Sequence, residues 1–151
     1  MPAGPHIMVV EARFYEDLAD ELVRGALAAL ERAGATVERF AVPGAFEIPA
    51  AIRFAIDAGQ GRQPFDGYVA LGCVIRGETT HYDYVCEESA RGLQDLALKF
   101  ALPIGYGILT VENEEQAWER ARVERGNKGR AAAEACLAMI ALKRKLQTSS
   151  R

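Results

Sequence analysis

Two hydrophobic rhythms alternate along this chain. Short apolar runs, Ile7-Met8-Val9-Val10, Thr36–Val42, Gly67–Ile75 and Ile104–Val111, are strand-sized and bounded by turn residues or by helical pattern. Between them apolar residues recur every three or four positions. Leu18, Leu22, Ala26, Ala29 and Leu30 share one face of a helix over 15–33 that Gly34 stops. The same spacing predicts helices over 48–58, ended by Gly59, and over 82–100, with Val85, Ser89, Gly92, Leu93, Leu96 and Phe100 inward. Two closing helices follow over 114–121 and 128–146, leaving a frayed tail over 147–151. The run over 67–75 is apolar almost throughout, as a strand covered by helices on both faces must be. Strands separated by helices mean a parallel sheet with right-handed crossovers, hence an α/β fold with four strands.

That order places the functional end of the molecule. Ligands of open parallel sheets bind outside the carboxyl ends of the strands. Glu11-Ala12-Arg13-Phe14, Gly44-Ala45-Phe46-Glu47, the stretch from Arg76 to His81, and Glu112-Asn113 all fall there. The 151 residues suit one domain over 1–151, with 1–5 and 147–151 expected to be flexible. No linker, repeat or low-complexity segment divides it. Four strands make a narrow sheet with a weakly protected edge, and Tyr82, Tyr84 and Trp118 are more apolar surface than a small monomer needs. Association with further copies resolves both points.

Composition removes several function classes. A net charge of −3 with acids and bases interspersed argues against nucleic acid and anionic membrane as partners. The cluster Lys143-Arg144-Lys145 reads as a helix C-terminus complementing its dipole. Cys73, Cys86 and Cys136 are odd in number and match no zinc spacing, so reduced thiols in the cytoplasm and no metal are expected. The start Met1-Pro2-Ala3-Gly4-Pro5-His6 has no signal-peptide pattern, and no apolar run reaches membrane-spanning length. A dinucleotide glycine fingerprint, a Walker-type loop and a Gly-x-Ser-x-Gly elbow are all missing.

Chemistry concentrates in Arg76-Gly77-Glu78-Thr79-Thr80-His81. A strand ending in Arg-Gly and hydroxyl residues offers backbone N–H groups and hydroxyls to an anion. Thr79 or Thr80 can equally be a plain helix cap, and Glu78 opposes an anion if its carboxylate points inward. His81 is the best acid–base candidate, since histidine exchanges protons near neutrality as a residue type. Lone histidines commonly cap or pack; a place at a strand end after an anion-friendly turn favours proton transfer. Phe14, just past a strand, is placed to stack on a planar ring or to cover the core. The backbone around Phe46-Glu47 can hydrogen-bond a heterocycle edge. Arg120 and Arg122 sit on a short charged helix, and Lys128 opens the last helix against its dipole.

Four motifs in order are together specific: Pro43-Gly44-Ala45-Phe46-Glu47-Ile48-Pro49; residues 72–85; Gly107-Ile108-Leu109-Thr110 with Glu115-Gln116-Ala117; and Asn127-Lys128-Gly129. They resemble the 6,7-dimethyl-8-ribityllumazine synthase family over about residues 6–146. The resemblance implies a flavodoxin-like αβα sandwich and the penultimate step of riboflavin synthesis. In that reaction a ribitylamino-pyrimidinedione amine condenses with 3,4-dihydroxy-2-butanone 4-phosphate, with no metal or other cofactor. It implies that Phe14 stacks on the pyrimidine, that Ala45, Phe46 and Glu47 bind the ribityl chain, and that Cys73, Val74 and Ile75 line the heterocycle pocket. Gly77, Glu78 and Thr79 would hold the phosphate with Arg120, and His81 would shuttle protons.

The resemblance also implies a homopentamer whose sites straddle two subunits, with Tyr106, Arg120 and Lys128 arriving from the neighbour. Some members pack twelve pentamers into a shell, and nothing between Arg120 and Asn127 decides for or against that. Two positions depart from the pattern: Ala131 stands where many members carry an acid, and Tyr106 where phenylalanine can occur. Two other classes remain open on sequence: a flavin- or lumazine-binding protein without turnover, and a purely structural shell protein. The joint presence of His81, Arg120 and Lys128 favours the enzyme.

Overall fold

A computed structural model describes residues 4–149. The chain runs β1 (His6–Ala12), α1 (Glu16–Arg32), β2 (Thr36–Val42), a 3-10 turn (Ala45–Glu47), α2 (Ile48–Ala58), β3 (Gly67–Ile75), α3 (His81–Phe100), β4 (Ile104–Val111), α4 (Glu114–Ala121) and α5 (Lys128–Ser149). The four strands form one parallel sheet in the order β2-β1-β3-β4. The side-chain alternation of β1 sorts the helices into two layers. Ile7 and Val9 join α1, α4 and α5 in one apolar cluster, and Met8, Val10 and Ala12 join α2 and α3 in the other. This is the three-layer α/β sandwich that the alternating rhythms demand.

Several boundaries differ from the sequence reading: β1 extends to His6 and Ala12, and α1 is a residue shorter at each end. The last helix continues past Leu146 to Ser149, because no breaker follows and Thr148 and Ser149 return hydroxyl bonds to carbonyls of the preceding turn. Residues 1–3 and 150–151, part of the ends expected to be flexible, lie outside the described residues; Gly4 and Pro5 are described, and the Pro5 carbonyl accepts from Thr36 N–H at 2.9 Å. Helix α3 also starts one residue earlier than periodicity predicts, at His81, which puts the imidazole on the first turn.

Gly105 of β4 and Gly129 of the last motif prove to be contact points. A Cβ on Gly105 would lie 1.9 Å from the Ala132 carbonyl oxygen, so β4 runs directly under α5 without losing its ladder to β3. A Cβ on Gly129 would lie 2.0 Å from the Leu22 carbonyl oxygen where α5 crosses α1. Asn127, with φ of 47°, turns the chain into that crossing and offers Oδ1 to Arg130 N–H at 3.4 Å. Alanine normally favours a helix over glycine by about 1 kcal/mol, yet here it drives backbone into backbone. Gly129→Ala is expected to lose about 3 kcal/mol, read as a fall in Tm of about 10 °C. An unchanged Tm by calorimetry would disprove the close crossing.

Candidate active site

The carboxyl ends of β1, β2 and β3 open into a cleft of about 630 Å³. It sits where the strand order switches, since β1 lies between β2 and β3 and its neighbours connect to opposite layers. Phe14 and Tyr15 come from the end of β1, and Pro43 to Glu47 from the end of β2. Cys73, Val74, Ile75, Gly77 and Thr79 come from β3 and its continuation, and His81, Tyr82, Tyr84 and Val85 from α3.

Each wall has a local cause. The 3-10 turn buries Ala45 and throws Phe46 outward, leaving it 56% exposed at the mouth, before Pro49 starts α2. Phe14 is 72% exposed and touches Tyr15 edge-to-face at 4.9 Å, so a broad aromatic face is free for stacking. Cys73 lies at the base; burial pushes its thiol up to about 12, with Cys86 contributing, which keeps it neutral at physiological pH. Burial likewise raises the Tyr15 and Tyr82 hydroxyls. Covalent thiol catalysis is therefore a poor fit for Cys73. Cys73→Ala is expected to keep kcat within about threefold, which a steady-state assay checks; a loss beyond a hundredfold would reinstate the thiol.

The anion-friendly turn is bare. Among the described residues the backbone N–H groups of Gly77, Glu78, Thr79 and Thr80 donate to no protein acceptor. Thr80 occupies the cap of α3 without a side-chain hydrogen bond, while Thr79 Oγ1 accepts from the His81 N–H at 3.3 Å. Four free donors ahead of a twenty-residue helix are a ready seat for a phosphate. Yet among the described residues no lysine or arginine lines the cleft. Arg76, beside the turn, is committed elsewhere: Nε donates to Glu112 at 2.7 Å, Nη1 to Asp83 at 3.4 Å, and the guanidinium covers the Tyr82 ring at 4.3 Å. The cleft has donors for an anion but lacks a cation.

The structure thus brings Phe14, Ala45, Phe46, Glu47, Cys73, Val74, Ile75, Gly77, Thr79 and His81 onto one cleft. It does not bring Glu78, Tyr106, Arg120 or Lys128 there. Glu78 is on the turn but off the wall. Tyr106 faces a second groove, beyond β4, with Leu98, Met139, Leu142 and Leu146. Arg120 donates to the Gln116 carbonyl at 3.1 Å within α4, and Lys128 is exposed at the head of α5. Sequence reasoning missed Tyr15 and Tyr84. Tyr84 was findable, being three residues after His81 on the same helix; Tyr15 looked like a helix residue and instead caps α1 beside Phe14. Among the described residues no cluster of three or more His, Cys, Asp or Glu side chains is placed to hold a metal ion, and no helix is long and apolar enough to cross a membrane.

An aromatic cleft at the switch point, a bare turn of free amides and a histidine at the helix head make up the candidate site of this three-layer α/β protein. Residues 4–144 match the family model described as 6,7-dimethyl-8-ribityllumazine synthase. The 6,7-dimethyl-8-ribityllumazine synthase of Azorhizobium caulinodans is 60% identical over 143 residues, covering 94% of this chain and 88% of that protein. The proteins of the same name from Bartonella tribocorum and Agrobacterium fabrum are 58% and 59% identical, over 96% and 94% of this chain and 94% and 97% of their own lengths. The chain belongs to the 6,7-dimethyl-8-ribityllumazine synthase family, transferases of riboflavin biosynthesis.

Proposed function

We propose that this cleft condenses 5-amino-6-(ribitylamino)pyrimidine-2,4-dione with 3,4-dihydroxy-2-butanone 4-phosphate, and that a second subunit completes it. The observation that carries the reading is the row of unpartnered N–H groups at 77–80, two of whose residues, Gly77 and Thr79, line the aromatic cleft together with His81. The pyrimidinedione stacks on Phe14, with its ribityl chain along Ala45, Phe46 and Glu47 and its edge against Val74 and Ile75. The phosphate of the second substrate lies on the amides of Gly77 to Thr79. The amine adds to the ketone, water leaves to give an imine, phosphate is eliminated, and ring closure expels a second water. His81 takes and returns the protons of these steps. Holding the two partners at contact distance supplies much of the acceleration, since the condensation already proceeds in water.

The missing cation is Arg120 of a neighbouring copy, accompanied by its Tyr106 and Lys128. Two distinct apolar surfaces support this. One surrounds the cleft mouth and α2, with Phe14, Phe46, Phe54 and Tyr84; the other is the groove beyond β4, where Leu98 is 75% and Tyr106 44% exposed. Different surfaces on one chain pair head-to-tail and close into rings, and the family resemblance favours a ring of five. Three free cysteines, two of them buried, suit a reducing cytoplasm. The test mixes both substrates with protein and follows lumazine absorbance and fluorescence against the uncatalysed rate. Acceleration supports the synthase; tight heterocycle binding with no acceleration would make this a binding relative instead.

A further inference from the structure

Glu11 is the one charged residue buried in the core among the described residues, at 3% exposure, at the end of the strand that leads to the cleft. It is held by two guanidinium groups. Arg13 Nη1 donates to Oε1 at 2.7 Å, while Arg39 of β2 donates through Nε to Oε2 and through Nη2 to Oε1, both at 2.9 Å. A buried ion pair adds little stability over well-packed apolar side chains, so its place here calls for another explanation. The rest of Arg13 supplies one. Its Nε donates to Glu16 Oε1 at 3.1 Å, and Nη2 reaches the Glu16 carbonyl at 3.4 Å and the Asp20 carboxylate. Its backbone N–H donates to the Val42 carbonyl at 3.0 Å, which ties it to the end of β2.

One side chain therefore fastens the strand end to the first two turns of α1, and the connector it spans contains Phe14. That ring is mostly exposed, and among the described residues Tyr15 is the one aromatic ring in contact with it. Its direction is set by the backbone of residues 13–15 and hardly by packing. We infer that Glu11 and Arg13 are positioning residues: they fix the β1–α1 connector so that Phe14 presents its face to the heterocycle. The inference rests on the proposed stacking role of Phe14. Arg39 holds the carboxylate from the other side, with its side-chain hydrogen bonds going to Glu11 rather than to the connector.

The experiment is a double-mutant cycle on the full-length enzyme with both natural substrates. Phe14→Ala is expected to raise KM for the pyrimidinedione about tenfold. Arg13→Met keeps the stem, loses the guanidinium and is expected to raise the same KM about fivefold, with KM for the butanone phosphate unchanged. The double variant should then be no worse than Phe14→Ala alone, and Arg13→Lys should recover part of the loss. Fluorescence titration with the lumazine product should show the same order of Kd values. If Arg13→Met does not fold, Glu16→Gln with Asp20→Asn releases the helix end of the clamp while Glu11 stays paired, and about a threefold rise is expected. Additive losses, or equal effects on both substrates, would overturn the positioning role while leaving stacking intact. No change on Phe14→Ala would instead overturn the stacking assignment, and the inference with it.

Discussion

Replacing Arg120 with alanine is expected to raise KM for the butanone phosphate about a hundredfold, with KM for the pyrimidinedione nearly unchanged. In the proposed site the phosphate lies on the backbone amides of Gly77 to Thr79, and among the described residues no positive side chain of the same chain is free beside them, because Arg76 is already bound by Glu112 and Asp83 and lies over Tyr82. A phosphate held by neutral donors alone lacks the charge-assisted bonds that make such sites tight, each worth about 1.5–3 kcal/mol. Two such bonds from one guanidinium account for about two orders of magnitude at the low end of that range. The same charge stabilises phosphate as it departs, so kcat falls as well. Steady-state kinetics with each substrate varied in turn checks the split. Equal losses toward both substrates would mean that Arg120 supports the fold and does not meet the phosphate.

Replacing His81 with alanine is expected to lower kcat about 10²-fold without abolishing turnover, and to leave both KM values within about threefold. The imidazole stands at the first position of α3, on the cleft wall, its backbone N–H held by Thr79 Oγ1. Among the described residues it is the one histidine lining the cleft. Proton transfer by one positioned group contributes about 10²–10⁴-fold, and approximation of the two substrates remains when that group is gone. Loss of all turnover in a folded His81→Ala protein would contradict a site that works mainly by holding its partners together.

Much of this was legible in the chain. The strands, their order along the sequence and the helical layers followed from period-two and period-three-to-four patterns, because one domain with one sheet leaves few other ways to bury Val9, Val10, Val69 and Leu71. The cleft followed from topology, since strand ends gather Phe14, Glu47 and His81 whatever the details. The clamp on the β1–α1 connector was not legible. Glu11 looks like an ordinary polar residue beside a strand, and only the register of β1 against β2, which sets Glu11 and Ala41 side by side near Arg39, shows that it is buried. Gly129 was visible only as part of a motif and Gly105 only as a residue of a strand; both are sites of backbone approach, a property of helix placement that no local pattern encodes. Tyr106, Arg120 and Lys128 lie away from the cleft within this chain, and the proposed site takes them from a neighbouring copy.

That last point is the central claim, and subunit mixing tests it directly. Neither His81→Ala nor Arg120→Ala protein holds both groups, yet a 1:1 co-assembled mixture does at any interface where an intact His81 faces an intact Arg120. In a head-to-tail ring such interfaces make up about a quarter of the total. The account predicts that co-assembly restores about a quarter of wild-type turnover with wild-type KM for the phosphate substrate. Activity no higher than the mean of the two variants, in rings shown by mass to be mixed, would contradict it and place the whole site within one chain.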